Sequence, residues 1–440
     1  MDQGLRDGKR REKMNAADNP MSLWDDTSTE AIRTRNDGLK GTVDVAIIGA
    51  GFTGLSAAIH CTEKGMSCHV IEAEHVGYGG SGRNTGLVNA AAWLPPQDVL
   101  KRLGAEAGEK FIDIFSNAPS FVFGLIRKYN IECEVTNTGT IHAAHGKSGF
   151  VNLQYRKTEW DRLGAPVDLL SADETAELTG TRCFYGALVD NRAGTINPMG
   201  YCRGLARAAL QNGAKLTTNC RVHKLIKEND GWRIITSNGD LKAKYVILGT
   251  NAYTDKLWPG LSQTFTRINY FNCATLPLDD RIKYILPHRQ GLWDTGKIMF
   301  SLRRDKFDRL IIGSMGRIHG NHKSGITKRW ASAQLKRLFP ALGPVEFEKT
   351  WYGEIAMTPT HLPGVHQLDH NLYTSIGYNG RGITTGTIFG KALADMISSN
   401  SSAGLPVPMT RMQKVSTAPF MSAIYKSIFS TNQIFKSIFN

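Results

Sequence analysis

Apolar positions run together first at Val45 to Ile48, between Asp44 and a glycine turn, the pattern of a buried parallel strand. From Thr53 to Lys64 they recur at helical spacing, and Cys68 to Ile71 is a second short apolar run closed by Glu72. These three segments predict a βαβ unit. Ala105 to Lys128 carries Phe111, Ile114, Phe115, Phe121, Val122, Leu125 and Ile126 on one side and predicts a long amphipathic helix. Ile131 to Ala144 predicts two strands about Asn137-Thr138-Gly139, and Tyr201 to Asn212 a helix ended by Gly213. Arg221–Lys227, Trp232–Ser237 and Lys242–Thr250 alternate like strands, with turns at Asn229-Asp230-Gly231 and Asn238-Gly239-Asp240. The last of them ends on the apolar run Tyr245 to Leu248, a third buried strand expected to rejoin the βαβ unit. Residues 265–318 are strand-rich, and Thr327–Phe339 predicts a helix. Asn371–Ile376 predicts a strand, followed by the glycine-rich Gly377–Gly382 and a helix from about Thr384 to Ile397. In the tail, 409–440, Phe420, Ile424 and Ile428 recur at i+4, as do Met421, Tyr425 and Phe429. That pattern suits a helix docked on the body, with a peripheral membrane contact as the alternative.

Gly49, Gly51 and Gly54 fall in the G-x-G-x-x-G spacing between the first strand and its helix, and Glu72 follows 18 residues after the third glycine. Gly49 allows the tight turn, Gly51 lets the backbone approach a pyrophosphate, and Gly54 lets helix and strand pack closely. The unpaired N–H groups of the helix N-terminus suit an anion. The Glu72 carboxylate can accept from both ribose hydroxyls of an adenosine and repels a 2′-phosphate. Gly49, Gly51, Phe52, Thr53, Gly54, Glu72 and Ala73 are therefore candidate dinucleotide-binding residues. They leave open whether the ligand is FAD or NAD.

At 440 residues the chain exceeds one small core, so two to three domains or one large interleaved body are expected. The apolar fraction of 41% and charged fraction of 21% are ordinary for a globular protein. No apolar run approaches the roughly 20 residues that cross a bilayer. The seven cysteines show neither metal spacing nor a paired framework, which suits a reducing, cytoplasmic location. The histidines show no ligand spacing, so no metal is expected. The net charge of +14 is scattered, without a recognisable nucleic-acid module, and no nucleic-acid partner is expected. Residues 1–40 are expected to be a flexible extension, polar in their first half and without the apolar core of a signal peptide.

Gly79-Gly80-Ser81-Gly82-Arg83-Asn84, after the second strand, tips the ligand to FAD. With Gly194-Thr195-Ile196-Asn197-Pro198, Gly249 to Thr254 and Gly377 to Gly382, the chain resembles the FAD-dependent amine and amino-acid oxidases of the D-amino-acid oxidase superfamily, from about residue 22 to 408. Two groups within it look closest, bacterial L-pipecolate oxidase and γ-glutamylputrescine oxidase, the first nearer through GGSGRNTGLVNAAAWLPP (79–96) and GYNGRGITTGT (377–387). The resemblance implies an α/β chain with a discontinuous Rossmann-like, glutathione-reductase-type FAD-binding domain (41–97, 186–256 and 366–408). An antiparallel-sheet α+β substrate domain (98–185 and 257–365) would complete it, with 409–440 as a tail. It implies that Ser81, Gly82, Arg83 and Asn84 line the pyrophosphate-to-ring side of the flavin and that Val222 contacts the adenine. Thr250 and Asn251 would pass near the cofactor, and Gly377, Asn379, Gly380, Arg381, Gly382 and Ile383 would cross the flavin edge. Some relatives attach FAD through a cysteine in the C-terminal third, but the last cysteine here is Cys273. A histidine after the second strand, used by others, is replaced by Asn84 and Thr85, so the FAD is expected to be non-covalent.

The implied reaction is oxidation of a C–N bond, with hydride transfer to flavin N5 and O2 or a quinone as final acceptor. Orientation and electrostatics suffice for it, because the nitrogen lone pair provides the push. The substrate implied is a secondary amino acid, L-pipecolate first, with a γ-glutamylputrescine-type polyamine derivative or another N-alkyl or D-amino acid as alternatives. A carboxylate on the substrate calls for a guanidinium. Arg303 or Arg304, Arg83 and Arg381 are the candidates, with Trp293 and Tyr378 as walls for a ring-shaped substrate.

Overall fold

The computed structural model describes residues 21–32, 38–90, 92–415 and 418–438; the polar stretch 1–20 lies outside the described residues. The βαβ unit forms as its pattern predicts, with strand Thr42–Ile48, helix Phe52–Glu63 and strand Cys68–Ile71. Gly239–Leu248 lies parallel to the first strand, Val45 facing Tyr245 and Ile48 facing Leu248. Leu372–Ile376 adds in parallel on its far side, and Lys215–Thr217 lies parallel beyond Cys68–Ile71. This parallel core is therefore assembled from separate stretches of chain. The central runs, Val45–Ile48 and Val246–Leu248, are apolar and buried because helices cover the sheet there. On one face Phe52–Glu63 packs against Gly382–Ser399, where a Cβ at Gly390 would sit 2.7 Å from Ser56 Cβ and 2.8 Å from Ala57 N.

A second sheet of eight strands lies beside it, in the order Phe347–Met357, Thr266–Thr275, Leu310–Met315, Phe300–Arg304, Gly291–Asp294, Thr140–Ala143, Ala187–Asp190 and Val167–Leu170. It is antiparallel except where Gly291–Asp294 runs parallel to Thr140–Ala143. Ala187–Asp190, expected in the nucleotide-binding portion, belongs to this second sheet, so the chain crosses back only after Asp190.

Three local expectations are corrected. Ala105–Lys128 is two helices, Ala105–Ser116 and Ala118–Lys128, because Pro119 in the first turn of the second cannot continue the first. Of the two strands expected in 131–144 only Thr140–Ala143 forms; before the Gly139 turn a single bridge joins Thr136 to Thr195. Residues 23–27, within the span expected as a loose extension, form a capped helix with Leu23 and Trp24 at 0% exposure. Two large apolar side chains and a Ser22–Asp25 capping box explain why that segment packs.

The tail helix Ala418–Ile438 docks on helix Ile326–Leu338 and strand Thr266–Thr275, burying Phe429 and Gln433. Gln433 Nε2 donates to Thr327 Oγ1 at 3.0 Å. The alternative expectation of a membrane contact is left without support, and among the described residues no helix is long and apolar enough to cross a membrane.

His69, on the strand Cys68–Ile71, pairs its Nε2 with Thr217 Oγ1 at 2.8 Å. Burial, with a smaller contribution from Lys215, lowers its pKa from 6.5 to about 4. As pH falls the unfolded chain therefore takes up this proton first. The stability tied to the neutral imidazole is complete above about 6.5 and is lost as pH falls through the window down to about 4. The thermal midpoint is expected to drop between neutral pH and about pH 4.5, and less so in His69→Asn. Equal drops in the two proteins would assign the acid sensitivity to other groups.

Candidate active site

The turn out of the first strand is built by glycines. Gly49 has φ +107°, open to glycine alone without strain. A Cβ on Gly54 would run into the Gly49 carbonyl oxygen, so helix and turn touch backbone to backbone there. At Gly51 a Cβ would lie 2.7 Å from Ser81 Oγ, which accepts from Phe52 N at 3.1 Å. Gly51 N-caps helix Phe52–Glu63 with no side-chain cap, leaving the positive end of the helix to a ligand. Glu72 Oε2 accepts from Ala50 N at 2.7 Å and Oε1 from Glu74 N at 3.0 Å. Burial raises its pKa, and those two donors oppose the shift.

These groups line one cavity of about 870 Å³. It runs from Glu72, Ala73 and Val222 past Gly49, Gly51, Phe52 and Thr53 to Ser81, Arg83, Asn84, Thr250 and Asn251. It continues along Asn379, Gly380, Arg381, Gly382 and Ile383 to Trp293 on the second sheet. Three of the candidate cofactor residues fall outside its lining. Gly54 and Gly82 are packing positions, a Cβ on Gly82 meeting Met199 and the Gly77 carbonyl. Gly377 has φ +81° and donates its N–H to Asn251 Oδ1 at 3.0 Å, tying two strand ends together. The helix after it begins at Gly382, and its N-cap, Arg381, makes no side-chain cap.

The loop 82–86 crosses between the sheets with every carbonyl tied. Gly82 O accepts from Ser22 Oγ at 2.9 Å, and Arg83 O from Trp351 Nε1 at 2.9 Å and Asn272 Nδ2 at 3.3 Å. Asn84 O accepts from Trp24 Nε1 at 2.8 Å, Thr85 O from Arg303 Nη1 at 3.0 Å and Gly86 O from Ile196 N at 2.8 Å. Asn84 spends its own side chain locally, on Gly80 O, Ser81 O and Gly86 N. Ser22, Trp24, Asn272 and Trp351 are functional supports that no motif announces. Trp24→Phe removes one hydrogen bond and keeps most of the burial, and is expected to cost about 1 kcal/mol. Thermal unfolding reads that loss, and no shift at all would remove Trp24 Nε1 from the clasp.

The candidate substrate residues divide. The Arg381 guanidinium lies between two indoles, 4.8 Å from the Trp93 ring centre and 4.9 Å from that of Trp293. Its Nη1 reaches Ala90 O at 3.4 Å, and its buried Nε has no partner. Burial first, then the neighbouring Arg156, lowers its pKa. Trp293 lines the cavity with its indole N–H unpartnered and His142 stacked on it at 5.0 Å. Arg303 is corrected: it shares the strand face of Ser301, which lines the cavity, but its Nη1 goes to Thr85 O and Ile196 O and its guanidinium stacks on Trp24. It lies outside the cavity lining because the loop 82–86 intervenes. Arg304 turns the other way, to Asp308 at 2.8 Å. Tyr378 is also corrected: it reaches the wall, but its ring stacks on Phe389 and its hydroxyl pairs with Thr53 Oγ1 and Ser375 Oγ in the core. Arg83 lines the cavity and donates from Nε to Tyr78 O at 2.7 Å. Trp93 and Arg156 were not anticipated; Arg156 sits on the largely polar helix Lys147–Asp161, whose sequence carries no site motif.

The half-buried Glu72 carboxylate at one end, an uncapped helix N-terminus in the middle and a second such N-terminus at the far end form a continuous cradle. These residues fit a flavin adenine dinucleotide: the acid suits a ribose diol, the first N-terminus a pyrophosphate, and the second the anionic edge of a reduced ring. Fold and cradle together define an FAD-dependent oxidoreductase. The chain matches the DAO family of FAD-dependent oxidoreductases over residues 44–396, and it belongs to that family. It is 29% identical over 361 residues to a γ-glutamylputrescine oxidoreductase of Escherichia coli, covering 81% of this chain and 84% of that one. Glycine oxidase from Geobacillus kaustophilus shares its fold with a TM-score of 0.68 at 19% identity, over 87% of this chain and 98% of that one. L-proline dehydrogenase from P. horikoshii does so at 0.68 and 18%, over 84% and 96%.

Proposed function

We propose that this chain oxidises the C–N bond of an amine that carries a carboxylate, a secondary or N-alkyl amino acid, with L-pipecolate the first compound to try. The observation that carries it is the Arg381 guanidinium, held between Trp93 and Trp293 on the cavity wall with a buried N–H unpartnered. Glu72 would hold the ribose, Val222 the adenine, the N-terminus at Gly51–Thr53 the pyrophosphate and Gly380–Ile383 the ring edge. Bound there, FAD supplies the two-electron acceptor for the carbon next to nitrogen.

The chain's own contribution is binding and electrostatics. Arg381 takes the carboxylate through two parallel hydrogen bonds, and the indoles fix the guanidinium plane and exclude water. Arg381 disfavours a further positive charge nearby, so the amine binds as its neutral base, its proton left to solvent, and keeps its lone pair available. Among the described residues the one cysteine lining the cavity is Cys220, whose N–H donates to Glu72 O at 2.9 Å. That is the adenosine end, which supports a dissociable FAD. On this reading residues 41–97, 191–256 and 364–408 hold the cofactor, and 98–190 and 257–363 shape the substrate side.

Anaerobic addition of pipecolate, proline or an N-methyl amino acid is expected to bleach the yellow flavin band. Absence of bleaching with every cyclic and N-alkyl amino acid would overturn the substrate class. The likeness to a γ-glutamylputrescine oxidoreductase favours a second reading, a polyamine derivative whose oxidised carbon bears no carboxylate. Under it, Arg381→Gln would leave turnover nearly unchanged. Repeating the active compounds in air with a peroxide readout separates O2 from a quinone as acceptor.

A further inference from the structure

We infer that the substrate carries a second carboxylate, received by Arg156 across Trp93 from the one that Arg381 receives; this rests on the amine-oxidation reading above. Both arginines line the same cavity and both touch Trp93, Arg381 over its ring and Arg156 through Nη2 to its carbonyl at 2.9 Å. Arg156 is oriented by Asn152, whose Oδ1 accepts from Nε at 2.9 Å, on the same helix one turn earlier. Neither guanidinium has a carboxylate within 4.0 Å among the described residues.

Elsewhere this chain answers its half-buried arginines with acids. Arg192 meets Asp190 at 2.7 Å, Arg207 meets Glu30 at 2.7 Å and Arg304 meets Asp308 at 2.8 Å. Arg303 is the contrast, satisfied by two carbonyls and an indole and set apart from the cavity. Arg156 and Arg381 have no such answer. Two half-buried cations on one cavity wall, answered only at longer range by Asp98 and Asp190, favour the arrival of anions. A single carboxylate neutralises one of them and leaves the other. At the cavity's outer side Lys297, in the turn joining Gly291–Asp294 to Phe300–Arg304, adds exposed positive charge and favours entry of an anionic molecule.

The test uses the FAD-loaded protein and paired substrates that differ by one carboxylate: N-methylaspartate and N-methylglutamate against N-methylalanine. Anaerobic flavin bleaching is followed over a concentration series. At least one dicarboxylic member is expected to half-saturate at a concentration about tenfold lower than N-methylalanine. Arg156→Gln should erase that advantage and leave N-methylalanine within about twofold, whereas Arg156→Lys should keep part of it. As a readout independent of turnover, succinate should perturb tryptophan fluorescence at lower concentration than propionate, and Arg156→Gln should abolish the difference. If N-methylalanine bleaches the flavin and neither dicarboxylic amine gains over it, the second carboxylate is wrong and the reaction stands. The second carboxylate is equally wrong if Arg156→Gln weakens all three substrates to the same extent. If no amine of any kind bleaches the flavin, the reaction itself is wrong, and this inference falls with it.

Discussion

Arg381→Gln is expected to lower kcat/KM for a carboxylate-bearing amine by a factor of about 10² to 10³, the size of losing a buried charge pair worth about 3 to 4 kcal/mol. The guanidinium is half-buried against two indoles, so its replacement deprives the substrate carboxylate of a paired cation where the rings limit the water that could compensate. Arg381→Lys should recover only part of the loss, because an ammonium cannot make the two parallel bonds or stack between rings. Steady-state kinetics on the substrate that bleaches the flavin most readily reads both variants. Flavin content, from the visible absorbance per protein, should stay near that of the parent. A variant that keeps its flavin and loses less than about threefold in kcat/KM would remove Arg381 from substrate binding.

Gly54→Ala is expected to cost about 4 kcal/mol or more and to give a protein that is purified colourless. The new methyl would run into the Gly49 carbonyl oxygen and stand 3.1 Å from Ile47 Cγ2. A flexible side chain could swing aside, but the first obstacle is the peptide of the glycine turn itself. Helix Phe52–Glu63 would have to lift off, carrying with it the N-terminus that faces the pyrophosphate site. The opposite face offers no room, since Gly390 already brings helix Gly382–Ser399 into contact with Ser56 and Ala57. Chemical denaturation and the ratio of flavin to protein absorbance measure the effect. A stable, fully yellow Gly54→Ala protein would mean that the turn tolerates more than its geometry allows.

The turn and its acid were legible because their requirements are local: a positive φ at Gly49, no side chain at Gly51 and Gly54, and a carboxylate at the end of the next strand. The third parallel strand was legible because a strand buried on both faces is apolar at every position, and Gly239–Leu248 ends that way. Residues whose placement depends on distant chain were not. Arg303 stands in a strand whose alternation points it the same way as Ser301, and only the path of the loop 82–86 puts it behind a wall, whereas Arg381, in the glycine-rich turn, does line the cavity. Tyr378 sits in the expected glycine-rich turn, yet a core pocket made by Thr53, Ser375 and Phe389 draws its ring inward. Arg156 was hidden in a helix whose charges look solvated, and only the distant Trp93 carbonyl, which accepts from its Nη2, marks its place at the cavity. The break at Asn117 was legible in retrospect from Pro119, where the apolar stripe outweighed the local backbone rule.

The strand Thr42–Ile48 finds its neighbours at Gly239–Leu248, and its helix finds its cover at Gly382–Ser399. A chain leaving the ribosome therefore carries an unfinished half-sheet, one apolar flank bare, until residues 382–399 have been made. Newly made copies are exposed to aggregation through that interval, and yield in a heterologous host should respond more to slowed translation or added chaperone than to extra riboflavin.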